Sequence, residues 1–371
     1  MTGASSLPET FDRLLDLAVA IQQIPAPTFR EKKRALRVRQ QFVAEQFTEI
    51  AMDQLQNVYA RLPGRSRARP LIVTAHLDTV FPDRFNGITR ASERISGPGI
   101  GDNSIGLAAL FGLVWMLRDS GTVLDSDIWL VANSREEGLG DLRGMQAVVE
   151  RFGDDVRGYL VLEGIALPHV YHRAVGVQRY RVKVHTAGGH SWSDYGQPSA
   201  VHEIASLVSR LVSLPLPGKP RTTMNVGTIS GGTGINVVAS QATFELDVRS
   251  ESRTALATVI STVESCIESV SREGVQIEIE VIGQRPSGGI PANHPWVELA
   301  GTCLAEQGFS ARLSSGSTDA NIPLSRGIPA IVLGITTGGG AHTTHEYIDI
   351  PPVGKGMRQL LSFVRRVMQS P

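Results

Sequence analysis

The sequence predicts an α/β protein in which one sheet, with helices on both faces, is split by an inserted α+β domain. In the first half of the chain, short apolar strand patterns alternate with helix patterns, which is typical of such a sheet. After about residue 177 the strand patterns change to alternating polar and apolar residues, and from about residue 293 the first pattern resumes. We therefore predict one domain formed by 1–177 and 288–371, with 178–287 as the insert.

The elements of the first domain follow from the spacing of its apolar residues. Apolar residues at helical spacing predict helices, and short apolar runs bounded by turn residues predict buried strands. The predicted helices are 11–24, 30–47, 106–118, 141–152 and 354–368, and the predicted strands are 70–74, 127–133, 158–162 and 330–334. The basic stretch 61–69 is predicted to be a solvent-exposed hairpin connection.

The insert is predicted to have the order β-α-β-β-α-β, which is typical of a compact α+β domain. Its strands are predicted from the alternation of polar and apolar residues, and its helices from an amphipathic pattern. The predicted strands are 178–185, 225–230, 241–248 and 275–282, and the predicted helices are 200–214 and 253–272.

The composition narrows the kinds of partner and compartment to consider. Lys plus Arg equal Asp plus Glu at 36 each, so no net charge attracts nucleic acid or an anionic membrane surface, and we expect a small-molecule partner. The start of the chain lacks a secretory signal pattern and no run of about 18 apolar residues occurs, which predicts a cytoplasmic protein without a membrane span. Only Cys266 and Cys303 are present, too few for a disulfide framework or a thiolate metal site.

Acidic and imidazole residues follow several predicted strands, at the edge where open α/β sheets build their sites. Each of them alone is most often an ordinary loop or surface residue, but their joint pattern predicts a metal site. They are His76 and Asp78, Asp102 in a Gly- and Pro-rich loop, the pair Glu136 and Glu137, Glu163, and His342. Zinc prefers imidazole and carboxylate ligands where thiolates are absent. A two-metal site needs one bridging carboxylate, and Asp102 in its uncluttered loop fits that requirement.

Two of these motifs have a spacing that suits roles beside a metal. Asp78 lies two residues after His76 and can reach the far imidazole nitrogen, a contact that orients a zinc ligand. Neighbouring residues on an extended chain point in opposite directions. One of Glu136 and Glu137 can therefore bind metal while the other serves as a general base.

The motifs resemble those of the co-catalytic zinc exopeptidases and amidohydrolases, which include glutamate carboxypeptidase, tripeptide aminopeptidase, acetylornithine deacetylase, succinyl-diaminopimelate desuccinylase and aminoacylase. The shared motifs are His-x-Asp, Gly-x-x-Asp-Asn, Glu-Glu-Gly, a later acidic ligand and His-x-x-x-Glu. The likeness covers nearly the whole chain, including the split domain order. It implies a zinc-exopeptidase-like fold whose insert is a lid or dimerisation domain.

The resemblance implies a ligand role for five residues. Asp102 bridges two zinc ions, His76 and Glu163 complete one site, and Glu137 and His342 complete the other. Cobalt or manganese can take the place of zinc with the same ligands.

The resemblance also implies roles for residues that do not bind metal. Glu136 is the general base, and Asp78 orients a metal-binding imidazole. His345 is left out of the ligand set, because Glu346 stands four residues after His342 and fixes the ligand position in the family motif.

In the insert, a Gly-Gly-His-Ser-Trp sequence resembles the lid motif of the family. Its histidine, here His190, donates to the oxyanion, often in the active site of a partner subunit. Asn236 and Arg249 match positions that bind substrate in relatives, and an arginine favours a substrate with a free carboxylate. Outside the insert, the loops 316–321 and 338–340 resemble loops that line the substrate pocket, and no atom is assigned to them.

The resemblance implies hydrolysis of an amide or peptide bond in a small peptide or N-acyl amino acid by a zinc-activated water, in a possible homodimer formed through the insert. An N-carbamoyl or N-acyl amino acid amidohydrolase uses the same chemistry and is an alternative. A metal-dependent binding protein without catalysis is a second alternative, although Glu136 disfavours it because a scaffold needs no base. The absence of a Gly-x-Ser-x-Gly sequence disfavours a serine hydrolase.

Overall fold

A computed structural model describes residues 7–82 and 87–369, which separate into two units. The core unit comprises the described residues up to Ala174 and from Gly289 onward, and the insert unit comprises Val175–Gly288. Each unit has a hydrophobic core of its own. The insert is therefore a separate packing unit within the chain.

The helices and strands are numbered in chain order. The helices are α1 (Leu7–Gln22), α2 (Lys32–Ala44), α3 (Ile105–Asp119), α4 (Arg143–Phe152), α5 (Ala200–Val212), α6 (Arg253–Glu268), α7 (Pro295–Ala305), α8 (Asn321–Ser325) and α9 (Val353–Gln369). The strands of the first part of the core unit are β1 (Ile50–Met52), β2 (Val58–Leu62), β3 (Ser66–His76), β4 (Thr89–Arg90), β5 (Arg94–Ser96), β6 (Ser126–Asn133), β7 (Gly158–Glu163) and β8 (His169–Ala174). The remaining strands are β9 (Gly176–His185), β10 (Gly189–His190), β11 (Thr222–Gly231), β12 (Val237–Val238), β13 (Gln241–Ser250), β14 (Gln276–Arg285), β15 (Gly288–Gly289), β16 (Arg312–Gly316), β17 (Ala330–Gly334), β18 (Gly338–Gly339) and β19 (Tyr347–Asp349).

The main sheet of the core unit has nine strands in the order β1-β2-β6-β3-β7-β17-β8-β15, with β16 paired to β8. The central strands β6, β3, β7 and β17 run parallel, so their carboxyl ends lie at one edge of the sheet. In the register, His76 lies opposite Asn133 and Gly334 lies opposite Glu163. The segments that follow these strands therefore start from the same edge, where open α/β sheets build their sites.

Helix α3 is buried on all sides in the core unit. Every residue of 105–117 is buried, and the helix packs against α1, α9 and β3. Gly112 leaves room for side chains of α1 and α9. The stretch Ile100–Asp119 is long and apolar enough to cross a membrane, but 94% of its apolar window is buried inside the protein. It is therefore a core helix and does not indicate a membrane span.

The insert unit is a four-stranded antiparallel sheet in the order β11-β13-β9-β14, packed against α5 and α6. Alternate residues of β9 and β13 are buried with the apolar residues of the two helices. This alternation is the period of two that predicts half-buried strands. The four strands of this sheet and the two helices follow one another in the predicted order β-α-β-β-α-β, and the short strands β10 and β12 form a separate pair.

The structure differs from the sequence prediction at some ends and connections. The prediction of a hairpin at 61–69 is wrong, because β6 lies between β2 and β3 in the sheet. Helix α4 begins at Arg143 instead of residue 141, because Asp141 and Leu142 have left-handed backbone angles, with φ of 56° and 59°. Strand β16 has no fully buried residue, so no apolar pattern marks it in the sequence.

Candidate metal centre

The predicted ligands lie at the ends of strands or in the loops beside them. His76 is the last residue of β3, Glu163 is the last residue of β7, and Glu137 follows β6 by four residues. Asp102 lies in the irregular turn that precedes α3, and His342 lies between β18 and β19. The ligands therefore come from five separate segments of the core unit.

The carboxylate of Asp102 lies between two imidazoles. Its Oδ1 is 2.9 Å from Nε2 of His76, and its Oδ2 is 3.1 Å from Nε2 of His342. Each imidazole also faces a second carboxylate. Oε2 of Glu163 lies 3.7 Å from Nε2 of His76, and Oε1 of Glu137 lies 3.3 Å from Nε2 of His342. The side chains thus form two groups that share Asp102.

The donor atoms of these groups fit a metal ion. One atom each from His76, Asp102 and Glu137, a set that draws on both groups, lie within 4.8 Å of one another. Ligand atoms about 2.1 Å from a tetrahedral zinc ion lie roughly 3.4 Å apart, which is near the 2.9–3.7 Å separations of the carboxylate oxygens from each imidazole nitrogen. Zinc, cobalt and manganese can all be bound by imidazole and carboxylate ligands without a thiolate. The residues present fit a metal, and Asp102 fits a carboxylate shared by two ions.

Ion pairing and burial shift the pKa values of these groups. Burial alone would lower the pKa of His76, but hydrogen bonds to Asp102 and two further carboxylates raise it well above its usual value. Hydrogen bonds to Asp102 and Glu137 raise the pKa of His342 to about 10. Burial raises the pKa of Glu137 and of Glu163 to about 7. The raised pKa values favour the protonated form of both imidazoles in this arrangement, and metal binding requires them to release protons.

Glu346 holds the loop that carries Asp102. Its buried carboxylate accepts hydrogen bonds from the main-chain N–H groups of Gly99, Gly101 and Asp102, at 3.0, 2.6 and 2.8 Å. A Cβ atom on Gly101 would lie 2.6 Å from the side chain of Ile165, so a glycine is needed there. In the sequence motif, Glu346 serves only to identify His342 as the ligand. In the structure, its carboxylate holds the main chain of the loop that carries Asp102.

Asn103 links the Asp102 loop to the end of β7. Its Nδ2 donates to the carbonyl oxygen of Leu162 at 2.7 Å, and its Oδ1 accepts the N–H of Gly164 at 3.1 Å. These two contacts bracket Glu163, and the peptide bond between Asp102 and Asn103 is cis. Sequence reasoning missed this role, although the place of Asn103 next to a ligand in the Gly-x-x-Asp-Asn motif is a signal that points to it.

Asp78 holds the main chain of the glutamate pair. Its Oδ1 accepts the N–H of Glu136 and its Oδ2 accepts the N–H of Glu137, both at 2.9 Å. Nδ1 of His76 lies 3.0 Å from the main-chain carbonyl oxygen of Asp78 and 3.7 Å from its carboxylate. Asp78 therefore contacts the imidazole through its carbonyl oxygen and, at longer range, through its carboxylate. The same carboxylate holds the main chain of the glutamate pair.

Asp319 is a buried acid beside this centre, in the loop 316–321 to which the sequence assigned no atom. Its Oδ2 accepts a hydrogen bond from Nδ2 of Asn133 at 2.7 Å, and both side chains are buried. Burial, and then the charge of Glu136, raise the pKa of Asp319 well above its usual value. The raised pKa favours the neutral form of Asp319, which limits the negative charge of a centre that already holds several carboxylates.

In the insert unit, the structure brings His190 and Asn236 together. His190 in β10 pairs with Val237 in β12, and the carbonyl oxygen of Asn236 accepts the N–H of Ser191 at 3.0 Å. Nδ1 of His190 accepts the N–H of Trp192 at 3.2 Å, which places the proton of the neutral imidazole on Nε2. The exposed side chain of His190 can therefore donate a hydrogen bond from Nε2.

Arg249 lies near the end of β13, opposite the start of β9. It pairs with Val177 at the start of β9, whereas the loop of His190 follows the end of β9. Its Nε donates to Oδ2 of Asp247 at 2.6 Å. The structure does not bring Arg249 to the loop of His190, and a carboxylate of the protein already binds its guanidinium group.

The fold and the donor set define a class of protein, the metal-dependent hydrolases with a mixed α/β sheet. The chain belongs to peptidase family M20/M25/M40, whose family model matches residues 72–366. This span begins in β3 and ends in α9, so it includes the candidate metal centre and the insert unit. The family inferred from the motifs is confirmed.

One relative in sequence and several similar structures match this chain over nearly its whole length. It is 22% identical to the uncharacterized protein YqjE of Bacillus subtilis over 370 residues, which are 95% of this chain and 97% of that protein. The structure is similar to that of a tripeptidase from Staphylococcus aureus, with a TM-score of 0.83 and 22% identity, covering 97% of this chain and 99% of that chain. It is also similar to an amidase of the hydantoinase/carbamoylase family from Burkholderia vietnamiensis, with a TM-score of 0.73 and 15% identity, covering 97% and 98%. At these identities the structural likeness shows the fold.

Proposed function

We propose that this protein is a two-zinc hydrolase that cleaves an amide or peptide bond near one end of a small peptide or N-acyl amino acid. The observation that carries this proposal is the carboxylate of Asp102, which directs one oxygen at His76 and the other at His342. Hydrolytic two-metal sites hold their ions about 3.5–4 Å apart, and a carboxylate with a ligand group on each side suits that spacing. Membership of the peptidase family supports the reaction class.

The two groups of side chains supply the ligands. His76, Asp102 and Glu163 hold one ion, and Asp102, Glu137 and His342 hold the other. When bound, the ions lower the pKa of a water molecule and polarise the substrate carbonyl. The donor atoms suit zinc, and cobalt or manganese as substitutes.

Glu136 is the general base in this proposal. It precedes Glu137, whose backbone is extended, with φ of −79° and ψ of 147°, and side chains of neighbouring extended residues point apart. Glu136 is 6% exposed, and Asp78 holds its main-chain N–H. Its carboxylate accepts a proton from the attacking water and returns it to the leaving nitrogen, so one group serves both steps.

His190 and Asn236 contact the substrate in this proposal. His190 donates from Nε2 to the oxyanion, a contact worth about 3–4 kcal/mol in comparable sites. We expect it to act in the centre of a partner chain, in a homodimer formed through the insert unit. Strand β11 supports such a dimer, because it lies at the edge of the insert sheet and Ile229 on it is 59% exposed. Exposed edge strands favour pairing with another chain.

Cleavage of N-acyl or N-carbamoyl amino acids is the second candidate function. The same metal chemistry cleaves these bonds and peptide bonds alike, and the similar structures include both a tripeptidase and an amidase. A binding protein without catalysis is disfavoured, because a binding site gains nothing from Glu136 buried next to a metal ligand.

A substrate screen tests the proposed function. Zinc-loaded protein is incubated with dipeptides, tripeptides, and N-acyl and N-carbamoyl amino acids, with and without a chelator, and the released amino acid is measured. We expect chelator-sensitive release from at least one class, and the preferred class separates a peptidase from an amidohydrolase. A zinc-loaded protein that releases nothing from any class would contradict the proposal.

A further inference from the structure

The main chain of the segment 134–137, which carries the glutamate pair, is held by side chains from three other parts of the core unit. The N–H of Ser134 donates to Oδ1 of Asn57 at 2.8 Å. The N–H of Arg135 donates to Oε1 of Glu31 at 3.2 Å, and Asp78 accepts the next two N–H groups. Four consecutive N–H groups thus depend on side chains, since this segment belongs to no helix or strand.

Glu31 is the buried side chain that connects the turn at Phe29 with the turn at Arg135. It is 1% exposed, although the next two residues, Lys32 and Lys33 of α2, are exposed. Its Oε1 accepts the N–H of Phe29 at 3.0 Å as well as that of Arg135. Phe29 and Arg135 both have left-handed backbone angles, with φ of 73° and 60°, which residues other than glycine rarely adopt. One buried oxygen therefore holds two strained turns together.

Further contacts connect the same two segments directly or through Asp78. Oγ1 of Thr28 donates to Oδ2 of Asp78 at 2.9 Å, and the guanidinium carbon of Arg135 lies 5.5 Å from the centre of the Phe29 ring. A Cβ atom on Gly140 would lie 2.7 Å from the Thr28 side chain and 2.7 Å from the Arg135 carbonyl oxygen. The segments 28–31 and 134–140 thus pack closely.

We propose that Glu31 is a positioning residue for the reaction, which fixes the turn before the glutamate pair so that Glu136 and Glu137 point in different directions. This inference rests on the proposed function, because it assigns these two side chains to proton transfer and metal binding. Glu31 itself touches neither substrate nor metal. Groups that orient metal ligands and catalytic side chains typically contribute about 10–100-fold to metal affinity or activity.

Two substitutions separate the reach of the Glu31 side chain from its charge. Glu31→Asp keeps the charge but shortens the side chain by one methylene, so its carboxylate no longer reaches the N–H of Arg135. Glu31→Gln keeps an oxygen at the same reach without the charge. Glu45 supplies the matched control with Glu45→Asp, because it is also buried, at 7% exposed, and binds Arg13 and Gln41 away from the glutamate pair.

The measurements are kcat and KM on the best substrate of the screen, and the dissociation constant for zinc in competition with a chromophoric chelator. We expect Glu31→Asp to lower kcat by about 10–100-fold, with KM changed by less than about threefold, and to raise the zinc dissociation constant about tenfold. We expect Glu31→Gln to stay within about threefold of the unmodified protein in each quantity. Glu45→Asp should lower the melting temperature without changing kcat per bound zinc.

The outcomes are distinguishable from failure of the proposed function. If Glu31→Asp melts earlier but has unchanged kcat and zinc affinity, Glu31 is only structural and the inference is overturned. The inference is also overturned if Glu31→Asp and Glu31→Gln lose activity equally. If the unmodified protein hydrolyses nothing while Glu31→Asp still weakens zinc binding, the proposed reaction fails but the positioning of Glu137 stands. If Glu31→Asp does not fold, retention of kcat and zinc affinity by Glu31→Gln supports the inference, and their loss overturns it.

Discussion

Among single residues, Asp102 has the contacts on which the proposed chemistry depends. Burial would raise the pKa of its carboxyl group, but hydrogen bonds to His342 and His76 lower it below its usual range. Asp102 is therefore ionised and can offer one oxygen to each side. In the proposed function Glu136 transfers protons and is not a ligand, so metal binding and proton transfer can be tested one at a time.

The substitution Glu136→Gln tests the general base. We expect kcat to fall by about 10²–10⁴-fold, because positioned proton transfer contributes that much, while zinc content stays unchanged. The measurement combines steady-state kinetics with metal analysis of the purified protein. The neighbouring substitution Glu137→Gln is the control and should lose zinc as well. Wild-type turnover by the Glu136→Gln protein would show that another group is the base.

The raised pKa values predict how the zinc-free protein responds to pH. In the folded state, burial raises the pKa of Glu137 and of Glu163 to about 7, and hydrogen bonds to Asp102 and Glu137 raise that of His342 to about 10. Each of these lies above its unfolded value, so the stability that the group contributes is present at low pH and is lost as pH rises through the folded-state pKa. We therefore expect zinc to raise the melting temperature more at about pH 8 than at about pH 6. Thermal melts with and without zinc at both pH values check this, and an equal increase at both would contradict it.

The candidate ligands could be singled out from the sequence because they lie in short motifs at strand ends or in the loops beside them. The residues that position them could not be predicted in the same way. The contact of Asn103 with Leu162 spans 59 residues, and that of Glu31 with Arg135 spans 104 residues. Such contacts depend on which strands become neighbours in the sheet, and no local spacing records that order.

Among the elements, the loop of Asp102 depends on a close approach to the end of β7. A Cβ atom on Gly164 would lie 2.0 Å from the carbonyl oxygen of Gly101, so a larger residue there must push the loop away. We expect Gly164→Ala to cost about 1–3 kcal/mol of stability and to weaken zinc binding. Urea unfolding and zinc titration measure the two effects.

Gly218 provides the matched control for this substitution. A Cβ atom on Gly218 would have no described atom within 4 Å, so Gly218→Ala should change stability by less than about 0.5 kcal/mol. Equal effects of Gly164→Ala and Gly218→Ala would show that the close approach at β7 does not position the loop.

The elements that the sequence predicted best are those with continuous apolar residues. Strand β17 was predicted as 330–334 and is observed as Ala330–Gly334, with every residue buried. Helix α4 was predicted two residues too early, because the left-handed angles of Asp141 and Leu142 belong to the turn and leave no mark in the apolar spacing. Continuous apolar residues thus predict buried strands, whereas left-handed turns at non-glycine residues produce no apolar pattern that would predict them.

In the whole molecule, the two units follow from two kinds of strand. Strands β6, β7 and β17 are buried along almost their whole length, whereas β9 and β13 are buried at alternate residues. A parallel sheet covered on both faces produces the first pattern, and an antiparallel sheet with one covered face produces the second. The change of pattern near residue 177 therefore indicates the boundary between the two units in the sequence itself.

Mixing two inactive variants tests whether the insert unit of one chain serves the other chain. His190→Ala removes the proposed oxyanion donor and Glu136→Ala removes the proposed base. If His190 acts across a homodimer, subunit exchange forms mixed dimers with one complete centre. Random exchange should then restore about a quarter of the activity, since half of the dimers are mixed. Steady-state assays of the mixture check this, and activity no higher than that of the separate variants would contradict a shared centre.

The zinc-binding isotherm of the full chain tests the central claim most directly. Zinc-free protein and its Asp102→Ala variant are titrated with zinc against a chelator of known affinity, and the number of ions bound per chain is measured. Sharing of one carboxylate by two ions predicts two zinc ions per chain for the unmodified protein and less than one for Asp102→Ala. Saturation of the unmodified protein at one ion or none, or two ions bound with unchanged affinity by Asp102→Ala, would contradict it.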